Sequence, residues 1–316
     1  MYGVDLGDSY ARIAWLDGNG RPVVADPPPD APAVPATVRG TPGTELRVSR
    51  APGAVSARAR LLRRTGSTAS AQALVGCVLA ELARSAVAAG RETPREVVLG
   101  RPMSDDGESD LRRAAEAAGL RVRTVLPEAV AVALHHGALR EGARGTVLVH
   151  DQGATGLELT LLAVDGDARQ VTVLETARHP LGGDHWDERV AAVLRRSLGP
   201  SDHTAEHALR RAAERLRLAL DTADRAEHRI GRAGDERTVT LDRAALDEAV
   251  RPLREQAVAA VRDLLERAGE HGGEVPESLL LAGGLSASPG TAELYEPLGL
   301  YVRSRTPQTA VASGLA

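Results

Sequence analysis

Lysine is absent from this 316-residue chain and so is phenylalanine, which leaves arginine as the sole carrier of its 39 basic charges. Codons for both missing residues are rich in A and T. A high-GC coding sequence accounts for the bias, so no Arg reads as functional from its identity alone. Cysteine is nearly absent too, and the lone Cys77 excludes an internal disulfide or a paired-cysteine site. A long uncharged run is also missing: the best candidate, Ala71 to Ala89, is broken by Glu81 and Arg84 and predicts no membrane span. Met1 to Leu6 has no basic lead and no cleavage-type sequence, so a cytoplasmic chain without a secretion signal is expected. Charge of one sign is not in excess. With 43 acidic residues and a formal charge of -4, nothing suggests a surface for nucleic acid or an anionic membrane.

What is present is an ordinary globular composition, 43% hydrophobic, at a length that suggests about two domains. The chain also contains itself twice. Tyr2 to Gly7, Arg12 to Leu16, Asp17-Gly18 and Arg21 to Val24 are matched by Val147 to Gly153, Leu157 to Leu161, Asp165-Gly166 and Gln170 to Leu174. Both predict strand, tight turn, strand, hairpin, strand, with Asp-Gly as a two-residue hairpin turn. A second repeat follows: Gly119-Leu120 and Gly299-Leu300 each precede a short strand and then a proline, Pro127 and Pro307, that opens an Ala/Val-rich helix. Two such α/β halves imply two lobes with a ligand cleft between them. Between Trp186 and Pro276 the pattern is mainly helical, with helices over 205–228 and 243–268 and a strand at Thr238 to Leu241. Asp26 to Pro35 reads as an exposed Pro-rich loop, followed by an irregular Arg-rich segment to about Thr65.

Asp5-Leu-Gly7 and Asp151-Gln-Gly153 each set a carboxylate at a strand end, two residues before a glycine. A carboxylate repels phosphate but binds Mg²⁺, while Gly lets backbone N–H groups close on phosphate oxygens. A single such loop is commonly just an Asp-capped turn; two facing each other in matched repeats suit a clamp on one triphosphate.

These loops, with Leu181-Gly-Gly-Asp-His-Trp-Asp187 and Leu281-Ala-Gly-Gly-Leu-Ser286, resemble in sequence and order the phosphate and adenosine loops of the seventy-kilodalton heat-shock (DnaK-type) chaperones. Pro102 and Glu128 match that family's interlobe strand and helix, so the likeness covers nearly the whole chain. The resemblance implies an α/β, actin-like ATPase fold of two duplicated ribonuclease-H-like lobes: 1–148 plus 304–316, and 149–303, with 190–277 a mainly helical insertion. It implies ATP/ADP and Mg²⁺ as cofactors, Asp5 and Asp151 organising the metal and Glu128 helping to orient water. Gly7, Asp8, Ser9, Gly153, Ala154, Thr155, Gly182 and Gly183 would lie at the phosphates. Glu214, Arg217, Gly283, Gly284 and Ser286 would lie toward the nucleoside, although Glu214 and Arg217 also read as a solvated helical ion pair.

The chain departs from the family pattern at several of these places. Asp8-Ser9 replaces two Thr, Ala154-Thr155-Gly156 replaces Gly-Gly-Thr, and Glu158, Leu218, Gln308 and Ala129 replace Asp, Arg, Asp and Pro. Arg58 or Arg60 stands where relatives use Lys near the γ-phosphate, although both also fit an amphipathic helix facing solvent. The leading expectation is therefore an ATP-binding, weakly hydrolysing chaperone-like module; the alternatives are a non-hydrolysing nucleotide-sensing scaffold and an actin-like assembly protein. His135-His136 reads as structural rather than metal-binding. The chain stops at Ala316 with no β-sandwich for peptide, so a carboxy-terminal domain or co-chaperone outside this chain is an expected partner.

Overall fold

The duplicated strand-turn-strand pattern folds twice into the same sheet. The computed structural model describes residues 1–26, 31–40, 45–51, 54–62, 68–103, 107–199, 204–232, 235–270 and 275–316. The first half holds β1 (Tyr2–Leu6), β2 (Tyr10–Leu16), β3 (Pro22–Val24), the short strands β4 (Val34–Pro35), β5 (Thr37–Arg39), β6 (Arg47–Val48) and β7 (Val55–Ser56), and helices α1 (Ala57–Leu62) and α2 (Thr68–Ala88). It continues through β8 (Glu96–Arg101), α3 (Glu108–Ala117), β9 (Arg121–Pro127) and α4 (Glu128–His135). The second half holds β10 (Arg144–Gln152), β11 (Leu157–Asp165), β12 (Gln170–His179), α5 (Gly183–Leu198), α6 (Glu206–Ala219), β13 (Arg225–Arg232), β14 (Asp235–Asp242) and α7 (Arg243–Glu270). β15 (Ser278–Ala282), β16 (Tyr301–Arg303) and α8 (Ala310–Leu315) complete it.

The two main sheets run β3-β2-β1-β8-β9 and β12-β11-β10-β15-β16, an antiparallel meander joined to two parallel strands in each case. Three apolar clusters hold this frame. One lies under the first sheet around Ile13, Leu79, Leu82 and Leu111, and one under the second around Leu159, Trp186, Leu194 and Leu216. The third joins the sheets: Val132 of α4 and Val311 and Leu315 of α8 pack with Val98 from one sheet and Val149 and Leu280 from the other. Two short helices thus form an apolar seam between the two sheets, and α8, last in the chain, returns to the first sheet.

Several local expectations are corrected. Neither Asp-Gly pair makes a two-residue turn. In the first loop Asp17 Oδ1 accepts the Asn19 and Arg21 N–H groups and Gly20 takes the positive φ; in the second Asp165 Oδ1 accepts from Ala168 and Arg169 takes it. An Asp side chain that caps its own turn lengthens the loop. The helix predicted to His228 ends at Ala219, because Ala226 and Ile230 turn inward on β13, which pairs antiparallel with β14. α2 is long and apolar enough over Ala71–Ala88 to cross a membrane by length and composition. Its Leu74, Val75, Val78, Leu79 and Leu82 are nevertheless buried in the first core. Residues 27–30 of the predicted Pro-rich loop and 63–67 of the Arg-rich segment lie outside the described residues.

Candidate functional site

Strand register places the two carboxylates equivalently. Asp5 faces Arg12 across β1 and β2, and Asp151 faces Glu158 across β10 and β11, each one residue from the last pair before the turn. The turns match as well: Gly7 N–H donates to Tyr10 O and Gly153 N–H to Gly156 O, each at 3.0 Å. The second turn rests on the start of α5, where Gly183 and Asp184 N–H groups donate to Gly153 O and Ala154 O at 3.0 and 2.8 Å. Gly182 serves that packing, since a Cβ there would lie 2.3 Å from Ala154 O, and it does not line the cleft.

Between the turns lies a cavity of about 480 Å³, within the usual range for small-molecule sites. Asp5, Gly7, Asp8, Ser9, Glu128, Asp151, Gly153, Ala154, Gly183, Glu214, Arg217, Gly283 and Gly284 all line it, so most of the expected site residues converge. Thr155 lines a smaller space of about 100 Å³ beside it. Ser286 does not converge: its buried hydroxyl lies 3.3 Å from His150 Nδ1, and His150 Nε2 lies 2.7 Å from the Tyr295 hydroxyl. At Gly283, φ is +89° and a Cβ would sit 2.3 Å from Gln152 O, so only Gly lets this loop pass over β10.

The electrostatics are those of a site short of cations. Among the described residues that line it, eight are Asp or Glu and three are Arg. Burial raises the Asp5 carboxyl above its ordinary range, opposed by Arg12 and Arg58. Asp151 is pushed up to about 7 by burial and then by Asp5 and Glu158, and Glu128 is raised well above the carboxylate range, chiefly by burial. Clustered carboxyl oxygens that give up their protons to a cation suit a hard ion such as Mg²⁺, which is commonly held by one or two carboxylates, phosphate and water. Among the described residues no three acidic, His or Cys side chains form a dedicated metal cage.

Arg58 decides one open point. Far from facing solvent, its Nη1 donates to Glu128 Oε1 at 2.8 Å and its Nε to Asp8 Oδ1 at 3.4 Å. Burial lowers its affinity for the proton, but Glu128 and then Asp8 more than reverse that, so the guanidinium stays charged. Arg60, two residues on, is exposed. The solvated-pair reading of Glu214 and Arg217 also fails, because each faces another partner. Arg217 Nε donates to buried Asp187 Oδ1 at 2.8 Å, while Glu214 pairs with Arg50 and accepts from the Tyr10 hydroxyl at 3.2 Å. Glu158 accepts the Met103 N–H at 2.8 Å instead of facing the large cavity.

Sequence reasoning missed Tyr10, Arg12, Arg50 and Asp221. Arg12 was detectable as the residue opposite Asp5 in a hairpin; Arg50, in an irregular segment, carries no such signal. Burial pushes the Tyr10 phenol up to about 12, with Glu214 adding to it.

The family model described as Hsp70 protein matches residues 47–314. Among similar curated proteins, Chaperone protein HscA of Pectobacterium carotovorum subsp. carotovorum is 30% identical over 240 residues, 74% of this chain and 37% of that protein. Heat shock 70 kDa protein BIP3 of Oryza sativa subsp. japonica is 31% identical over 229 residues, 69% of this chain and 34% of that protein. Chaperone protein DnaK of Akkermansia muciniphila is 26% identical over 246 residues, 73% and 38% respectively. The chain spans a little over a third of the length of these relatives.

Proposed function

Because the chain belongs to the Hsp70 family and is its nucleotide-binding domain, of actin-like ATPase fold, we propose that its cleft binds ATP and ADP with Mg²⁺ and hydrolyses ATP slowly. The observation that carries this reading is the pair of carboxylate-glycine turns, identical in strand register and opposed across one cavity. Asp5 and Asp151 would hold the cation. The turns at Gly7–Ser9 and Gly153–Thr155, with Gly183, would close on phosphate oxygens; Gly283, Gly284, Glu214 and Arg217 would border the nucleoside. Bound Mg²⁺ would supply charge neutralisation at the phosphates. The protein's own part is to exclude water from the seam side with α4 and α8, and to hold the Glu128 carboxyl in one place through Arg58.

The lobes on either side would be 1–148 with 304–316, and 149–303 with 190–277 as insertion. The location we propose is the cytoplasm, and the partners a carboxy-terminal domain or co-chaperone outside this chain. The test is Asp151→Ala. Phosphate release and calorimetric binding of Mg-ATP should both be lost while the unfolding transition is kept; undiminished release would remove the assignment.

A non-hydrolysing sensor is a second reading, favoured by one observation: the cation nearest the phosphate end, Arg58, is already committed to Asp8 and Glu128. Normal turnover at saturating Mg-ATP would eliminate it.

A further inference from the structure

The phosphate end of the cleft is closed by a carboxylate of the protein itself. Asp8 stands in the first turn, on the amino-terminal half, and its Oδ2 accepts the Thr155 hydroxyl of the opposing turn at 2.7 Å. Its Oδ1 takes Arg58 Nε and the Ser56 hydroxyl, each at 3.4 Å. The string continues outward on both sides, through Arg178 Nη2 at 3.4 Å from the Thr155 hydroxyl and Arg58 Nη1 at 2.8 Å from Glu128. One anion thus receives donors from both lobes, at the point where the matched turns come together. An anion held by the Thr155 hydroxyl of the opposing turn and by the Ser56 hydroxyl and Arg58 guanidinium of β7 and α1 has the surroundings of a terminal phosphate.

From this geometry we infer that Asp8 is a built-in occupant of the terminal-phosphate position, and that it makes the cleft select a nucleoside diphosphate over a triphosphate. The inference rests on the nucleotide reading above and deepens it. Space and charge agree. The pocket behind Asp8 holds only about 100 Å³, lined by Asp8, Glu128, Asp151 and Glu158 against Arg58 and Arg178. A third phosphate would enter a space with more carboxylates than cations and would have to displace Asp8 from Thr155 and Arg58. A diphosphate leaves that link in place. Like-charge crowding of this kind discriminates through repulsion rather than through added contacts.

The experiment is calorimetric titration of this chain, with Mg²⁺, by ADP and by a non-hydrolysable β,γ-imido analogue of ATP. Wild type is compared with Asp8→Ser, which vacates the position, and Asp8→Asn, which keeps the shape and removes the charge. Wild type should bind the analogue at least about tenfold more weakly than ADP, and Asp8→Ser should shrink that ratio by at least about tenfold. Asp8→Asn should shrink it less. A wild-type ratio near one, or a ratio that neither substitution moves while ADP still binds, overturns the role of Asp8 and leaves nucleotide binding intact. Failure of wild type and both variants to bind either nucleotide overturns the nucleotide reading and this inference with it.

Discussion

At the scale of single residues, the site is governed by which charges find partners. Arg58 touches two of the cleft's carboxylates, Asp8 and Glu128, and its side chain is largely buried between them. Removing one member of a buried pair leaves the other charge uncompensated, at a cost typically near 3–5 kcal/mol. Arg58→Ala should therefore destabilise the ligand-free chain by about 3 kcal/mol in denaturant unfolding. Arg58→Lys should recover only part of that, because an ammonium cannot span two carboxylates as a guanidinium fork does. Equal stability of wild type and Arg58→Ala would mean the bridge is no more than a surface pair. This residue also marks a limit of the sequence. An Arg-rich helix reads the same whether it faces water or an acid, and the two acids Arg58 meets are 50 and 70 positions away.

At the scale of elements, the repeat was legible because Asp, Gly and Pro recur at fixed spacing, and those residue types fix turns and helix starts by their backbone preferences. The register of Asp5 and Asp151 followed from it directly. What spacing did not reveal was β13. Its inward residues, Ala226 and Ile230, are four apart, a spacing that also suits one face of a helix. Ser286 was misplaced for a related reason, since a position in a Gly-rich motif does not tell whether the hydroxyl turns toward the cleft or, as here, toward His150.

Helix α4 ends in a feature with its own pH dependence. His136 is buried, its Nε2 makes no hydrogen bond among the described residues, and its pKa is lowered to about 4 by burial and then by His135, Arg303 and Arg305. Buried His150 is lowered to about 4 by burial as well. In both, the unfolded chain takes up a proton near the usual imidazole value of about 6.5 while the folded chain resists until about 4. Their contribution is thus complete above about pH 6.5 and drains away as pH falls toward 4. Urea midpoints at pH 7.5 and 4.5 should show a smaller acid loss for His136→Leu than for wild type. Parallel losses would contradict the assignment.

At the scale of the whole molecule, the two sides of the cleft differ in kind. One side is apolar, built from α4, α8 and residues of both sheets. The rim is polar and made of separable links. Arg50 and Tyr10 hold Glu214 across the mouth, with the Arg50 guanidinium 4.9 Å over the Tyr10 ring; Asp8 meets Thr155 deeper in, and Met103 N–H meets Glu158 beyond. We propose that opening would break these hydrogen bonds while leaving the apolar seam packed, so that the mouth link would gate release of a bound nucleotide. Arg50 is the member to remove, because it does not line the cavity and so is not itself placed against the ligand. A partly exposed pair of this kind is worth about 1 kcal/mol, and its loss should speed release of a fluorescent ADP derivative from Arg50→Ala by about fivefold in stopped-flow measurements. The radius of gyration of the ligand-free variant should rise at the same time. An unchanged release rate would place the gate elsewhere, at the Asp8–Thr155 contact, where Asp8→Ser should then accelerate release instead.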